Sequence, residues 1–296
     1  MSATFPIIAI TGSSGSGTTH IWNEFQKFCE GKKILPGLIE GDSFHKYERQ
    51  EMRKIIDAWE RTAGRGISHF GPEANVLEKL EALFSNFASS GSGFYRKYIH
   101  NDDEANRYGA KAGSFTDWQE LKNCDLIFYE GLHGGFIDEN VNIAKHVDLL
   151  IGVTPTINLE WIQKIRRDSA ERGHNLKNIA SSILRRMDDY VNYIVPQFSR
   201  TDVNFQRVPL VDTSNPFAFN SEISPEDTLI VVRFKNYPIR AIEKLSSKIN
   251  GAEIKSRDTL ILPGSEFLKS LEIIVFSRIL KLTKKARRVK RLSMNE

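Results

Sequence analysis

The feature that most constrains this chain is a junction close to its start. Residues 5–11 (Phe-Pro-Ile-Ile-Ala-Ile-Thr) form an apolar run, rich in β-branched residues, that stops at Gly12, as a strand buried on both faces should. The chain then reads Gly12-Ser13-Ser14-Gly15-Ser16-Gly17-Thr18-Thr19, after which Trp22, Phe25 and Phe28 fall at helical spacing. Glycines in such a turn let backbone N–H groups point inward, and the N-terminus of the following helix adds a potential that favours anions. A second apolar stretch ends in Leu38-Ile39-Glu40-Gly41-Asp42 and completes a β–turn–α–β unit.

The spacing from Gly12 to Gly17 and the hydroxyl of Thr19 match the phosphate-loop pattern G-x-x-x-x-G-K-[ST], with Thr18 standing in the lysine position. A nucleoside triphosphate is the expected occupant. Gly12, Ser13, Ser14, Gly15, Ser16, Gly17, Thr18 and Thr19 are the candidate nucleotide-binding residues. Thr19 would offer its hydroxyl to a Mg²⁺ ion bridging the β- and γ-phosphates. Thr18 can give only a neutral hydrogen bond, so the missing cation must come from elsewhere, and Lys164, Arg167 and Arg172 are candidates.

Ligands of open α/β sheets collect at the carboxyl ends of strands, and two acids are expected there: Asp42 after Leu38-Ile39, and Glu130 after Leu126–Tyr129. Phosphoryl transfer needs a carboxylate near the acceptor hydroxyl and another near the metal. Asp42 is assigned as the base and Glu130 as the metal-site acid. An Asp followed by Ser is also a common turn former, but His45, Lys46 and Arg49 lie close in sequence, and cations beside the base suit an anionic acceptor. Further on, Lys164, Asp168 and Arg172 are four residues apart and share one helical face. Spacing alone is equally met by a surface salt-bridge ladder, worth only ~0.3–0.5 kcal/mol per pair.

Further strands are expected at 125–130, 147–153, 228–234 and 259–262, with helices at 75–87, 158–172 and 178–195 and a last one running from about Ser265 into the tail. No Pro- or Ser-rich linker interrupts the pattern, so one α/β domain over residues 1–280 is expected. Residues 281–296 carry seven Lys or Arg against the single acid Glu296, which leaves the rest of the chain near −2 within a formal total of +4. The basic character belongs to this tail, read as a solvated helix end or a disordered tail rather than a nucleic-acid or membrane site. Cys29 and Cys124 are the only cysteines, too few for a disulfide framework, which points to a reducing compartment. The opening Met-Ser-Ala-Thr-Phe-Pro has no basic segment followed by an apolar core, and no stretch nears the roughly 20 apolar residues of a membrane span. A cytoplasmic protein without a span is therefore expected.

Several of these segments together resemble bacterial phosphoribulokinases: Gly12–Thr19, Glu40–His45, Phe70–Asn75, Tyr98–His100, Phe115–Trp118, Phe128–Gly134, Asn158–Arg172 and Pro196–Phe217. Thr18 is itself part of that family's pattern. The resemblance implies a single-domain P-loop NTPase-type fold, a mixed sheet flanked by helices. It implies ATP and Mg²⁺ as cosubstrates, phosphorylation of the primary hydroxyl of ribulose 5-phosphate, and a homo-oligomer. It makes Asp42 the base, Glu130 the metal acid, Asp168 a second essential acid and Lys164 the cation on the transferring group. His45, Arg49, His100 and Arg172 would hold the sugar phosphate. Of three arginines that the family uses for NADH activation, two have counterparts at Arg233 and Arg257, while Gly31 stands where the other is expected. Ser16 occupies the place of the cysteine in the plant-type redox switch. Ser68–Asn75 and Glu171–His174 look closer to the phosphoribulokinase-like proteins of bacteria without a carbon-fixation cycle.

Three other readings stay open on residues alone: a P-loop kinase of another sugar phosphate or a nucleoside-type alcohol, an ATP-binding regulatory module that presents no hydroxyl, and nucleic-acid binding through 281–291.

Overall fold

The computed structural model describes residues 4–12, 18–62, 66–172, 175–219 and 221–293. Its frame is a mixed eight-stranded sheet. The strands are β1 (Ile7–Gly12), β2 (Pro36–Glu40), β5 (Leu126–Gly131), β6 (Leu149–Pro155), β7 (Val203–Pro209), β8 (Thr228–Phe234), β9 (Glu253–Ile254) and β10 (Thr259–Pro263), in the order β2-β5-β1-β6-β7-β8-β10-β9. The first five in that order run parallel, and the last four pair antiparallel. A separate hairpin joins β3 (Gly93–Tyr95) to β4 (Gln119–Leu121).

The continuous apolar run of β1 follows from its central position. Ile8 and Ile10 join one core cluster while Ile7 and Ala9 join another, so both faces are covered. On one face α1 (Thr18–Lys32) stacks Phe25 on Phe128 at a ring-centroid distance of 3.7 Å. On the other, Leu80, Leu83, Phe84 and Phe87 of α3 (Leu77–Ser90) pack against Ile7, Ala9 and Tyr129. Their three- and four-residue spacing is the helical pattern of the sequence. The amino ends of the strands are pinned by carboxylates: Asp148 accepts the Ile7 N–H at 2.9 Å and Asp202 the Leu150 N–H at 2.8 Å.

Several features depart from the sequence expectations. The helix expected over 178–195 is α6 (Leu176–Arg185), a short turn at Met187–Asp189, a π-helical turn at Tyr190–Ile194 and a short helix at Val195–Phe198. Pro196 contributes to that break, because it has no N–H with which to continue the ladder. The region between α3 and β5, to which the sequence reading gives no element, holds the β3–β4 hairpin and a short helix, α4 (Asp102–Tyr108). Another helix unmarked in the sequence pattern is α2 (Arg49–Thr62). Position 280 falls inside the helix Ser277–Ser293, and the basic segment continues that helix, with Arg287 donating to Asp125 Oδ2 at 2.7 Å and Lys290 lying 3.8 Å over the Phe5 ring.

Candidate active site

The register of the parallel strands sets the site. Glu40 and Ile10 both pair with Glu130, and Thr11 pairs with Gly131, so the ends of β2, β5 and β1 stand level. Gly41 and Gly131 then come together so closely that a Cβ on Gly41 would lie 2.8 Å from Gly131 Cα and 2.7 Å from Tyr129 Oη. Only glycine fits. This approach swings the turn Gly41–Phe44, carrying Asp42, over the end of β5.

Around Asp42 lies a group of imidazoles. His45 Nε2 is 3.5 Å from Asp42 Oδ1, and the His45 ring stacks on His69 with centroids 3.8 Å apart. Burial, with help from His133, His100 and Arg96, pushes His45 down to about 3. Burial likewise lowers His133 to about 4 and His69 well below the ordinary histidine range. All three rings are neutral near pH 7. Arg96 fixes the turn from behind, donating to the Ser43 and His45 carbonyls at 3.0 and 2.6 Å with its guanidinium 3.5 Å over the Phe115 ring.

His100 behaves differently from these three. Its Nε2 is 3.7 Å from Glu40 Oε2, and that carboxylate raises its pKa against the effect of burial. Arg49 ties the same loop down by donating to the His100 carbonyl at 2.8 Å and to Tyr98 Oη at 3.3 Å. Of the residues expected as sugar-phosphate ligands, His45 and His100 therefore lie near Asp42, and Arg49 joins them through the His100 loop.

The second group stands on α5 (Ile157–Arg172), which follows β6 on the far side of β1. Lys164 and Asp168, both buried, form a tight ion pair, and Arg167 adds bonds of 3.2 Å to the other oxygen of Asp168. This is no surface ladder. Burial and the charge of Arg186 lower Lys164 to about 8, although Asp168 opposes the change. Arg186 is itself lowered to about 10 by burial, with Glu160 and Asp168 acting against it. Phe70, Glu160, Lys164, Arg186 and Tyr190 line one small cavity, and the Arg186 guanidinium sits 4.8 Å over the Phe70 ring. The segment His69–Phe70 thus touches the Asp42 group through His69 and the Lys164 group through Phe70.

Ser13, Ser14, Gly15, Ser16 and Gly17 lie outside the described residues, as do the side chains of Thr18, Thr19 and Arg172. The structure does place Gly12 at the end of β1, Thr18 and Thr19 in the first turn of α1, and Arg172 as the last residue of α5. Among the described residues no group of three or more His, Cys, Asp or Glu could hold a metal. Glu130 at the end of β5 suits Mg²⁺, which keeps waters and phosphate oxygens and needs only one or two carboxylates. Arg233 and Arg257 line a separate cleft of about 390 Å³ at the antiparallel end of the sheet, where Arg233 donates to the Phe198 carbonyl at 2.6 Å. Gly31 is at the end of α1 with open space around it. Cys29 is buried, its thiol pushed up to about 12 by that burial.

A mixed sheet with a carboxylate just past one strand end and a buried lysine–aspartate pair on the helix after another strand of that sheet suits phosphoryl transfer to an alcohol. Residues 7–214 match the phosphoribulokinase / uridine kinase family, and the chain belongs to it. It is a phosphotransferase with an alcohol acceptor, and membership of this P-loop family implies ATP and usually Mg²⁺. The chain is similar to the chromosomal phosphoribulokinase of Cupriavidus necator, at 45% identity over 97% of this chain and 99% of that one. It is also similar to a probable phosphoribulokinase of Escherichia coli, at 47% identity over 95% and 98%. The phosphoribulokinase from Rhodobacter spheroides has the same fold, with a TM-score of 0.88 at 39% identity over 97% of this chain and 100% of that one. Among the described residues no helix is long and apolar enough to cross a membrane.

Residues that the sequence reading did not single out are His69, Arg96, His133 and Arg186. The stretch Ser68–Asn75 was noticed only for its resemblance, and a histidine among small and apolar residues carries no local signal of a site.

Proposed function

We propose that this protein transfers the γ-phosphoryl group of MgATP to the primary hydroxyl of ribulose 5-phosphate, giving ribulose 1,5-bisphosphate and ADP. The observation that carries this reading is the Asp42 carboxylate beside neutral imidazoles just past the end of β2, joined through His69–Phe70 to Arg186 and the buried Lys164 on the other side of β1. Asp42 takes the proton of the acceptor hydroxyl as its oxygen bonds to phosphorus and the bond to the ADP oxygen breaks. Bound MgATP supplies the phosphoryl group and a metal that offsets its charge. His45, Arg49, His100 and Arg172 hold the sugar phosphate. Lys164, kept in place by Asp168, meets the oxygens of the transferring group and takes the role absent at Thr18. Glu130 and Thr19 would hold the metal, and Gly12–Thr19 would enclose the phosphates.

The test is ADP release by the purified protein with ATP and Mg²⁺, alone and with ribulose 5-phosphate or other pentose and hexose phosphates. Stimulation by ribulose 5-phosphate above all other acceptors is expected. A better response to a different sugar phosphate overturns the substrate, and no response to any acceptor overturns the kinase reading.

A further inference from the structure

Gln197 is wholly buried in the broken helical segment after α6, and none of the roles given above falls on it. Its amide is fully used. Nε2 donates to the Leu132 carbonyl at 2.8 Å and the Tyr193 carbonyl at 2.7 Å, while Oε1 accepts the Gly135 N–H at 2.9 Å and lies 3.1 Å from Thr11 Oγ1. The π-helical turn Tyr190–Ile194 precedes it, and such turns recur at functional positions.

The partners of Gln197 are what give it meaning. Thr11 is the residue before Gly12, where the phosphate loop begins, and Leu132–Gly135 is the turn that follows Glu130-Gly131. That turn also contains His133, whose Nε2 donates to the Phe70 carbonyl at 3.0 Å. Phe70 and His69 connect onward to Lys164 and Asp42. One side chain therefore sets the start of the nucleotide loop against the turn on which the metal acid and the acceptor-side loop both depend. We propose that Gln197 is a positioning residue for phosphoryl transfer, acting through the turn Leu132–Gly135 on the separation of donor and acceptor. This inference rests on the reading under Proposed function. Its rationale is that reacting groups misplaced by about 1 Å lose on the order of 10²-fold in rate, whereas substrates held mainly by other residues still bind.

The experiment compares wild type, Gln197→Met and Thr11→Val in steady-state kinetics with MgATP and the best sugar-phosphate acceptor, with folding followed by circular dichroism and thermal unfolding. Gln197→Met keeps the volume and removes every amide bond. Thr11→Val removes only the hydroxyl beside Gln197. The expected result is a loss of kcat of about 10²-fold in Gln197→Met and a smaller loss, about tenfold, in Thr11→Val, with both KM values within about threefold of wild type. Lower thermal stability with unchanged kcat would make Gln197 a structural residue only and overturn the proposal, as would a rise in KM at constant kcat. If Gln197→Met does not fold, Thr11→Val decides: a kcat within twofold of wild type overturns the proposal. A wild type that phosphorylates no acceptor overturns the kinase reading and this inference with it, whereas an active wild type with unaffected variants overturns this inference alone.

Discussion

The two sides of the cleft are built from opposite materials. On the β2 side, three buried imidazoles stripped of charge surround the carboxylate of Asp42. On the α5 side, Lys164, Arg167 and Asp168 keep their ions inside the protein, with Arg186 and Glu160 next to them. The acceptor is a hydroxyl that must be oriented and deprotonated, and neutral rings can shape its pocket without pairing off the base. The phosphoryl group carries charge that moves during transfer, and fixed ions in a poorly solvated site act on it far more strongly than they would in water. The contrast separates orientation from charge compensation, and substitutions on the two sides should fail in different ways.

The largest effect is expected at Asp42, the proposed base. Asp42→Ala should lower kcat by about 10³–10⁴-fold, near the upper end of what a positioned base contributes, with the KM for ATP changed only a few-fold. A loss below tenfold in the same kinetics would move the base elsewhere. Next comes Lys164→Met, which removes the cation and leaves Asp168 with Arg167 as its charged partner. A fall of about 10²–10³-fold in kcat is expected, the magnitude of one lost charge-stabilising donor. The contrast can be sharpened with pH, because burial holds Lys164 at about 8. The charged form is lost as pH rises through that value, so kcat should decline on the alkaline side, and Lys164→Arg should carry the decline to higher pH. An alkaline limb identical in the two proteins would assign it to another group.

Much of the α5 side was legible in the sequence, and less of the β2 side, for a physical reason. Lys164 and Asp168 are one helical turn apart, so spacing alone brings them together, and only their burial had to be learned from the fold. The apolar run before Gly12 likewise marks a central strand wherever it is met. The imidazole group depends on contacts between distant segments: His45 on His69, His133 on Phe70, Arg96 on the turn at Ser43–His45. Gln197 lies 186 residues from Thr11, and no periodicity announces such a contact. The strand β7 was missed because only Val203 and Phe205 of Val203–Pro209 are buried, too short an alternation to stand out in a polar stretch.

Arg96 tests whether the acceptor side is fixed by its support. Arg96→Lys keeps the charge but cannot donate to two carbonyls in the fixed planar geometry that the guanidinium provides. The turn carrying Asp42 and His45 should loosen, raising the KM for the sugar phosphate by about five- to tenfold, the equivalent of roughly one ordinary hydrogen bond, while the KM for ATP stays put. Equal changes in both constants would show that the turn serves the two substrates alike and would break the division drawn between the two sides.

The smallest effect at neutral pH concerns the charge state of the imidazoles, and it appears only on acidification. His133 titrates at about 4 in the folded protein against an ordinary value of 6.5, so the unfolded chain takes up its proton first. The neutral, buried form contributes its full stability above pH 6.5, and that contribution is lost as pH falls toward about 4. His45 and His69 add to the same slope with the same sign. His133→Gln can still donate to the Phe70 carbonyl but has no proton to gain. Urea unfolding between pH 7 and pH 4.5 should show little change at pH 7 and a shallower acid slope in the variant, by about one proton, or ~1.4 kcal/mol per pH unit. Parallel slopes in the two proteins would mean that His133 is already charged or solvated in the folded state, and the β2 side would then hold a cation where the contrast with α5 requires a neutral ring.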